Sequence, residues 1–105
     1  MFAEIVVLLD LINMASIIIT LKIMPADPEV NLSRVEQKAI EEIKNFAGKT
    51  EIKRELEPVA FGLNALKITF VMDENIGSTD ELEEKISRIE GVNSVEVVDV
   101  RRAIG

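Results

Sequence analysis

The stretch Ile17-Ile18-Ile19-Thr20-Leu21-Lys22-Ile23-Met24 constrains the fold more than any other part of the chain. Ile17, Ile19, Leu21 and Ile23 share one side of an extended backbone, and Ile18, Thr20, Lys22 and Met24 share the other. A period of two would scatter these side chains around a helix, so 16–24 reads as a strand with one wholly apolar face that needs a covering layer. Pro25 and Pro28 end it. The period then changes: Leu32, Val35, Ala39, Ile40, Ile43 and Phe46 form an apolar stripe at helical spacing. Asn31 suits the N-cap, Ser33 with Glu36 offers a competing start, and Gly48 suits the position just past the end.

The same switch recurs downstream. Residues 50–57 predict a charged strand with Ile52 and Leu56 on one face, a composition suited to a sheet edge. After Pro58 to Asn64, Leu66, Ile68, Phe70 and Met72 alternate with Lys67, Thr69 and Val71, as in a central strand. Ser78 and Glu81 fit a capping box for a second helix, striped by Leu82, Ile86 and Ile89 and stopped by Gly91. Acidic residues crowd its start while Lys85 and Arg88 follow, which suits the helix dipole. Residues 94–100 predict a last, half-charged strand, and 101–105 a short tail.

Strand-helix-strand twice, in two halves of about forty residues with short connections, predicts an α+β fold: a ferredoxin-like βαββαβ sandwich. Its four-stranded antiparallel sheet carries two helices on one face. The first and third strands are expected side by side at the centre, parallel to each other, and the charged second and fourth at the edges. Thr20, Lys22, Lys67 and Thr69 would then stand on the uncovered face, a candidate surface.

At 105 residues the chain suits one core, since cores divide into separate domains only beyond about 250 residues. It has no Cys and no His, which excludes thiol and imidazole catalysis, disulfides and Cys/His zinc sites. Neither a catalytic residue, a metal nor a cofactor is expected. Nineteen acidic against twelve basic residues give −7, a field that repels nucleic-acid backbones and anionic membranes and favours a basic partner. The apolar amino end is interrupted by Glu4, Asp10, Asn13 and Lys22 before a spanning run of about 18 residues accumulates. It also lacks the basic start of a secretory signal, so a cytoplasmic location is expected.

Several chemistries of this fold class fail on the residues. RNA readout on the sheet needs exposed aromatics on the central strands, and these strands offer only Phe70, directed inward. A copper carrier needs a cysteine pair. The turn from Asp73 to Thr79 resembles a calcium loop, but its glycine stands fifth rather than sixth, and a helix cap explains the same residues. The segment 58–64 is different, because a connection is normally polar and this one holds Val59, Ala60, Phe61 and Leu63. Phe61 either plugs one end of the core or stands out as the kind of aromatic anchor that dominates an interface.

The strand ending Lys22-Ile23-Met24-Pro25 forms part of a wider pattern. It is joined by Glu57-Pro58-Val59-Ala60-Phe61-Gly62-Leu63 running into Ala65-Leu66-Lys67-Ile68, and by Gly91-Val92 with Val95-Glu96-Val97-Val98-Asp99-Val100-Arg101-Arg102. Over roughly Met14 to Arg102 the chain resembles the archaeal elongation factor 1-beta proteins and the catalytic carboxy-terminal domain of their eukaryotic counterparts. The resemblance implies a guanine-nucleotide exchange factor for the GTPase elongation factor 1-alpha, with no covalent chemistry. It implies partner contact by Phe61, Gly62, Leu63, Asn64 and Lys67, and by Arg101 and Arg102 near the carboxy end. In the eukaryotic relatives a lysine next to the chain end reaches the GTPase's magnesium site, whereas Ala103-Ile104-Gly105 stands here. The two arginines are the nearest cations, and salt-bridging on an edge strand explains them equally well.

The family domain begins just before the first strand, where this chain has Met14-Ala15-Ser16. Residues 1–13 are therefore expected to come from an upstream start codon, leaving 14–105 as a single exchange domain. An intact mass that includes Met1 to Asn13, measured on protein from its source, would sink that expectation. The alternative function is a small-molecule-binding regulatory domain of the same fold, which ligand dialysis and gel filtration would reveal.

Overall fold

The computed structural model describes residues 16–102; the expected extension 1–13 and the residues after Arg102 lie outside them. Strand β1 (Ser16–Pro25) is followed by helix α1 (Leu32–Ala47), β2 (Ile52–Pro58), β3 (Asn64–Asp73), α2 (Asp80–Ser87) and β4 (Val92–Arg102). The sheet order is β2-β3-β1-β4. Both helices pack on one face, where Ile19, Leu21, Ile23, Leu66, Ile68, Phe70 and Met72 meet Val35, Ala39, Ile43, Leu82 and Ile86 in one core. This is the ferredoxin-like sandwich, with the apolar strands central.

The central pair departs from expectation, because β1 and β3 run antiparallel, with Ile17 opposite Met72 and Ile23 opposite Leu66. The crossover through α1 brings β2 back parallel to β1 but one strand away. The β2–β3 hairpin then turns β3 into the gap, against both neighbours.

Local chemistry sets most boundaries. Asn31 Oδ1 accepts from the Arg34 N–H at 3.3 Å, which caps α1 as expected. β2 begins two residues later than the charge pattern predicts, because Thr50 Oγ1 and not a backbone carbonyl accepts from the Val71 N–H, at 2.9 Å. Helix α2 starts after Ser78: the Ser78 hydroxyl accepts from the Asp80 N–H at 3.1 Å, while Thr79 Oγ1 donates to Glu83 at 2.8 Å. The expected Ser78/Glu81 box is thus replaced by two overlapping contacts. The helix also ends at Ser87, before Gly91, because Arg88 and Ile89 donate to carbonyls three residues back and tighten the last turn. β4 is longer than 94–100, so Arg101 and Arg102 belong to the strand, opposite Ile18 and Ile17, and not to a tail.

Candidate partner-binding site

The β2–β3 connection closes between Pro58 and Asn64, the last pair of the β2–β3 ladder. Inside it the Val59 N–H donates to the Leu63 carbonyl at 2.8 Å, and the Leu63 N–H to the Ala60 carbonyl at 3.3 Å. The two residues at the apex, Phe61 and Gly62, have φ of 62° and 74°. Positive φ at both central positions is the geometry of a type I′ turn, which Asn, Asp and Gly normally fill. An aromatic there is unusual, since left-handed backbone costs an L-residue roughly 1–2 kcal/mol. The ring recovers nothing by packing: Phe61 is 93% exposed. It does not plug the core, whose end is closed by Ile23 and Leu66, both buried. Gly62 and Asn64 are exposed beside it and Leu63 is half-buried.

Lys67 lies three residues further along β3 on the uncovered face, directly opposite Lys22. Like charges so placed repel, and β2 relieves the repulsion: Glu57 and Glu55 lie 3.3 and 3.7 Å from Lys67 Nζ. The uncovered face stays polar between the central strands, where the Thr20 and Thr69 hydroxyls share a hydrogen bond of 2.9 Å. Arg101 shares this face and donates to Asp99 at 2.9 Å. Lys67 and Arg101 line the same shallow hollow, with carboxylates of both neighbours in it.

The residues implied by the resemblance thus fall into two groups. Arg101 stands on the rung of Ile18 and Val71, and from Val71 back to Asn64 the sheet runs about 23 Å at the usual strand rise. Arg102 turns to the helix-side face, where it donates to Glu74 at 2.9 Å. One end of the sheet therefore carries a naked aromatic and the other carries paired arginines. Leu56 shares a face with Ile52, as the pattern predicts, but is 56% exposed, whereas Ile52 packs against the core. Nothing in a period of two marks where helix cover stops.

Among the described residues there is no cluster of acidic side chains that would hold a metal ion, and no helix is long and apolar enough to cross a membrane.

Comparison with known proteins identifies the family. A designed protein, Foldit4, matches the fold with a TM-score of 0.57 at 19% identity, over 81% of this chain and 94% of that one. Among natural relatives, the elongation factor 1-beta of Methanothermobacter thermautotrophicus is 41% identical over 90 residues, 85% of this chain and 98% of its own length. Those of Sulfolobus acidocaldarius and Pyrococcus abyssi are each 43% identical and are covered over 94% of their lengths, against 82% and 83% of this chain. The regulatory-domain alternative gains no support from these relatives. Residues 18–103 match the EF-1 guanine nucleotide exchange domain, and the chain belongs to that family.

Proposed function

We propose that the chain promotes exchange of GDP for GTP on elongation factor 1-alpha, using the Phe61 turn as its anchor. The observation that carries the anchor is a ring 93% exposed on a backbone with φ of 62°, a combination that folding alone disfavours. Exchange is a linkage effect: a factor that binds the nucleotide-free GTPase more tightly than the GDP complex must, reciprocally, weaken GDP binding. No bond is made or broken, so a chain without thiol or imidazole suffices. GTPases hold GDP through a phosphate loop and magnesium. A wedge that moves those elements lowers GDP affinity, and GTP in excess refills the site.

With Phe61 and the arginines at opposite ends of the sheet, a partner touching both lies along the strands. Phe61, with Gly62, Leu63 and Asn64, then holds one part of the GTPase while Arg101 and Arg102 approach another. Lys67, neutralised by Glu55 and Glu57, orders the sheet between them. The charge of −7 argues for contact through protein surface alone, without nucleic acid or an anionic membrane, and exchange itself calls for no small-molecule substrate of the factor's own. A cytoplasmic location, shared with that partner, goes with this reading.

Release of fluorescent GDP from the cognate GTPase tests this. The chain should accelerate release, and Phe61→Ala should remove most of the acceleration while leaving the unfolding midpoint near that of the parent. A parent chain without effect on release refutes the function; an active Phe61→Ala refutes the anchor.

A further inference from the structure

Helices α1 and α2 lie side by side on the sheet and leave a shallow groove between them. Arg34 and Lys38 of α1 line it, together with Lys85 of α2 and Arg88 just past its end. Lys44 adds a fifth cation, and Glu41, Glu42 and Glu90 are the acidic residues of the groove. Five basic against three acidic side chains is a local excess of positive charge, on a chain whose total is −7. The rest of the molecule is correspondingly more acidic, so the groove is a positive strip in a negative field. Its lining is not wholly polar, since half-buried Ile89 contributes to it.

Arg34 and Lys38 stand where folding gains nothing from them. α1 has no acidic residue in its first turn and carries Arg34 there, at the end of a helix where the backbone dipole favours negative charge. α2 shows the ordinary arrangement, with Asp80, Glu81 and Glu83 in its first turn. Arg34 and Lys38 are also four residues apart, so two like charges share one side of α1 and repel. Among the described residues neither forms an ion pair, whereas Lys85 pairs with Glu81 and Arg88 with Glu84. Glu41 and Glu42 follow Lys38 in the chain, the less favourable order for a helical pair. Two exposed cations that disfavour their own helix and pair with nothing are free to meet charge from outside.

We propose that this groove docks a short acidic segment of a partner protein, its carboxylates on Arg34 and Lys38 and an apolar side chain against Ile89. A peptide suits the groove better than a nucleic acid. A nucleic-acid strand carries a charge on every nucleotide, and on leaving the groove it meets the glutamates of α1 or the acidic start of α2. Ile89 also has no ring on which a base could stack. A short peptide ends its charge where the cations end. The groove belongs to the helix layer, whereas Phe61 tips the β2–β3 connection and Arg101 stands on the uncovered face. It is a separate surface, and it does not depend on the exchange reading.

Titration of the full chain into a short fluorescent peptide of alternating aspartate and leucine, followed by anisotropy, tests the proposal. Binding should saturate, and Arg34→Glu and Lys38→Glu should each weaken it at least about tenfold, because each turns attraction into repulsion. Arg34→Glu puts an acid in the first turn of α1, so its thermal midpoint should match or exceed the parent's and misfolding cannot account for the loss. Lys53→Glu makes the same change of charge at an exposed site on β2, opposite Thr69 on the uncovered face. It should leave the affinity within about twofold of the parent's, since distant surface charges are screened. A parent that does not bind overturns the proposal, and so does a Lys53→Glu loss equal to that of Lys38→Glu, which would reduce the effect to net charge. Tighter binding of a single-stranded RNA of equal charge, abolished by Lys38→Glu, overturns the assignment to a peptide.

Discussion

The two turns that flank β3 have much in common and one decisive difference. Each is a short turn with a large apolar residue near its tip, Phe61 in one and Ile76 in the other, and each needs a positive φ. After β3, the positive φ of 90° falls on Gly77, Asp73 Oδ1 accepts from the Asn75 N–H at 2.8 Å, and Glu74 is held by Arg102. Before β3, Phe61 itself takes the left-handed conformation, and its ring faces solvent. One turn assigns each strained position to a residue that tolerates it. The other places an aromatic where glycine or asparagine would serve folding better, and the anchor proposed above rests on that contrast.

Two phenylalanines give the sharpest break between these regions. Phe70 is fully buried on β3 and Phe61 is almost fully exposed nine residues earlier. Phe70→Ala should cost about 3–5 kcal/mol, by lost burial plus the cavity left behind. Phe61→Ala should cost almost nothing. Urea unfolding of both variants measures the contrast, and equal losses would mean that the Phe61 ring packs in solution after all.

Gly77→Ala comes next. At φ of 90° and ψ of −138° a Cβ is strained, although no atom lies within 4 Å of it. The expected loss is roughly 1–3 kcal/mol, with GDP release unaffected because this turn is built for folding. A variant of parental stability would remove the distinction between the turns.

Phe61→Asn should reverse the sign. Asparagine accepts the left-handed conformation and favours type I′ turns, so the domain should gain about 1 kcal/mol while losing exchange activity. A rise in thermal midpoint together with slower GDP release is the outcome that separates stability from function at a single position. A fall in midpoint would show that the exposed ring contributes to the fold.

Much of this was legible in the residues. The alternation from Ile17 to Met24, the stripe from Val35 to Ile43 and the Asn31 cap are local signals, and each specified its element. The antiparallel central pair was not, because strand direction follows from where β3 inserts, a long-range consequence of the α1 crossover. The extent of β4 was hidden for a related reason: Val98 breaks the period of two, so Arg101 and Arg102 look like a tail until the ladder to Ile17 and Ile18 is seen. For the candidate site, an apolar connection around Phe61 singled out this turn but could not decide between plug and protrusion. The separation of Phe61 from the arginines is a matter of register, which no short motif encodes.

The smallest predicted effect on stability concerns the other end of the sheet. Arg102 and Glu74 meet at 2.9 Å with side chains 65% and 43% exposed, so water screens the pair and its net contribution is small. Arg102→Gln removes the charge and keeps most of the side chain along β4. Its midpoint in urea should stay within about 0.5 kcal/mol of the parent's. That insensitivity is what makes the variant useful, because a fall in GDP release at unchanged stability can then come only from contact with the GTPase. If release stays at the parental rate, Arg102 belongs to the same category as Gly77, a residue serving its own turn, and the site contracts to the Phe61 end.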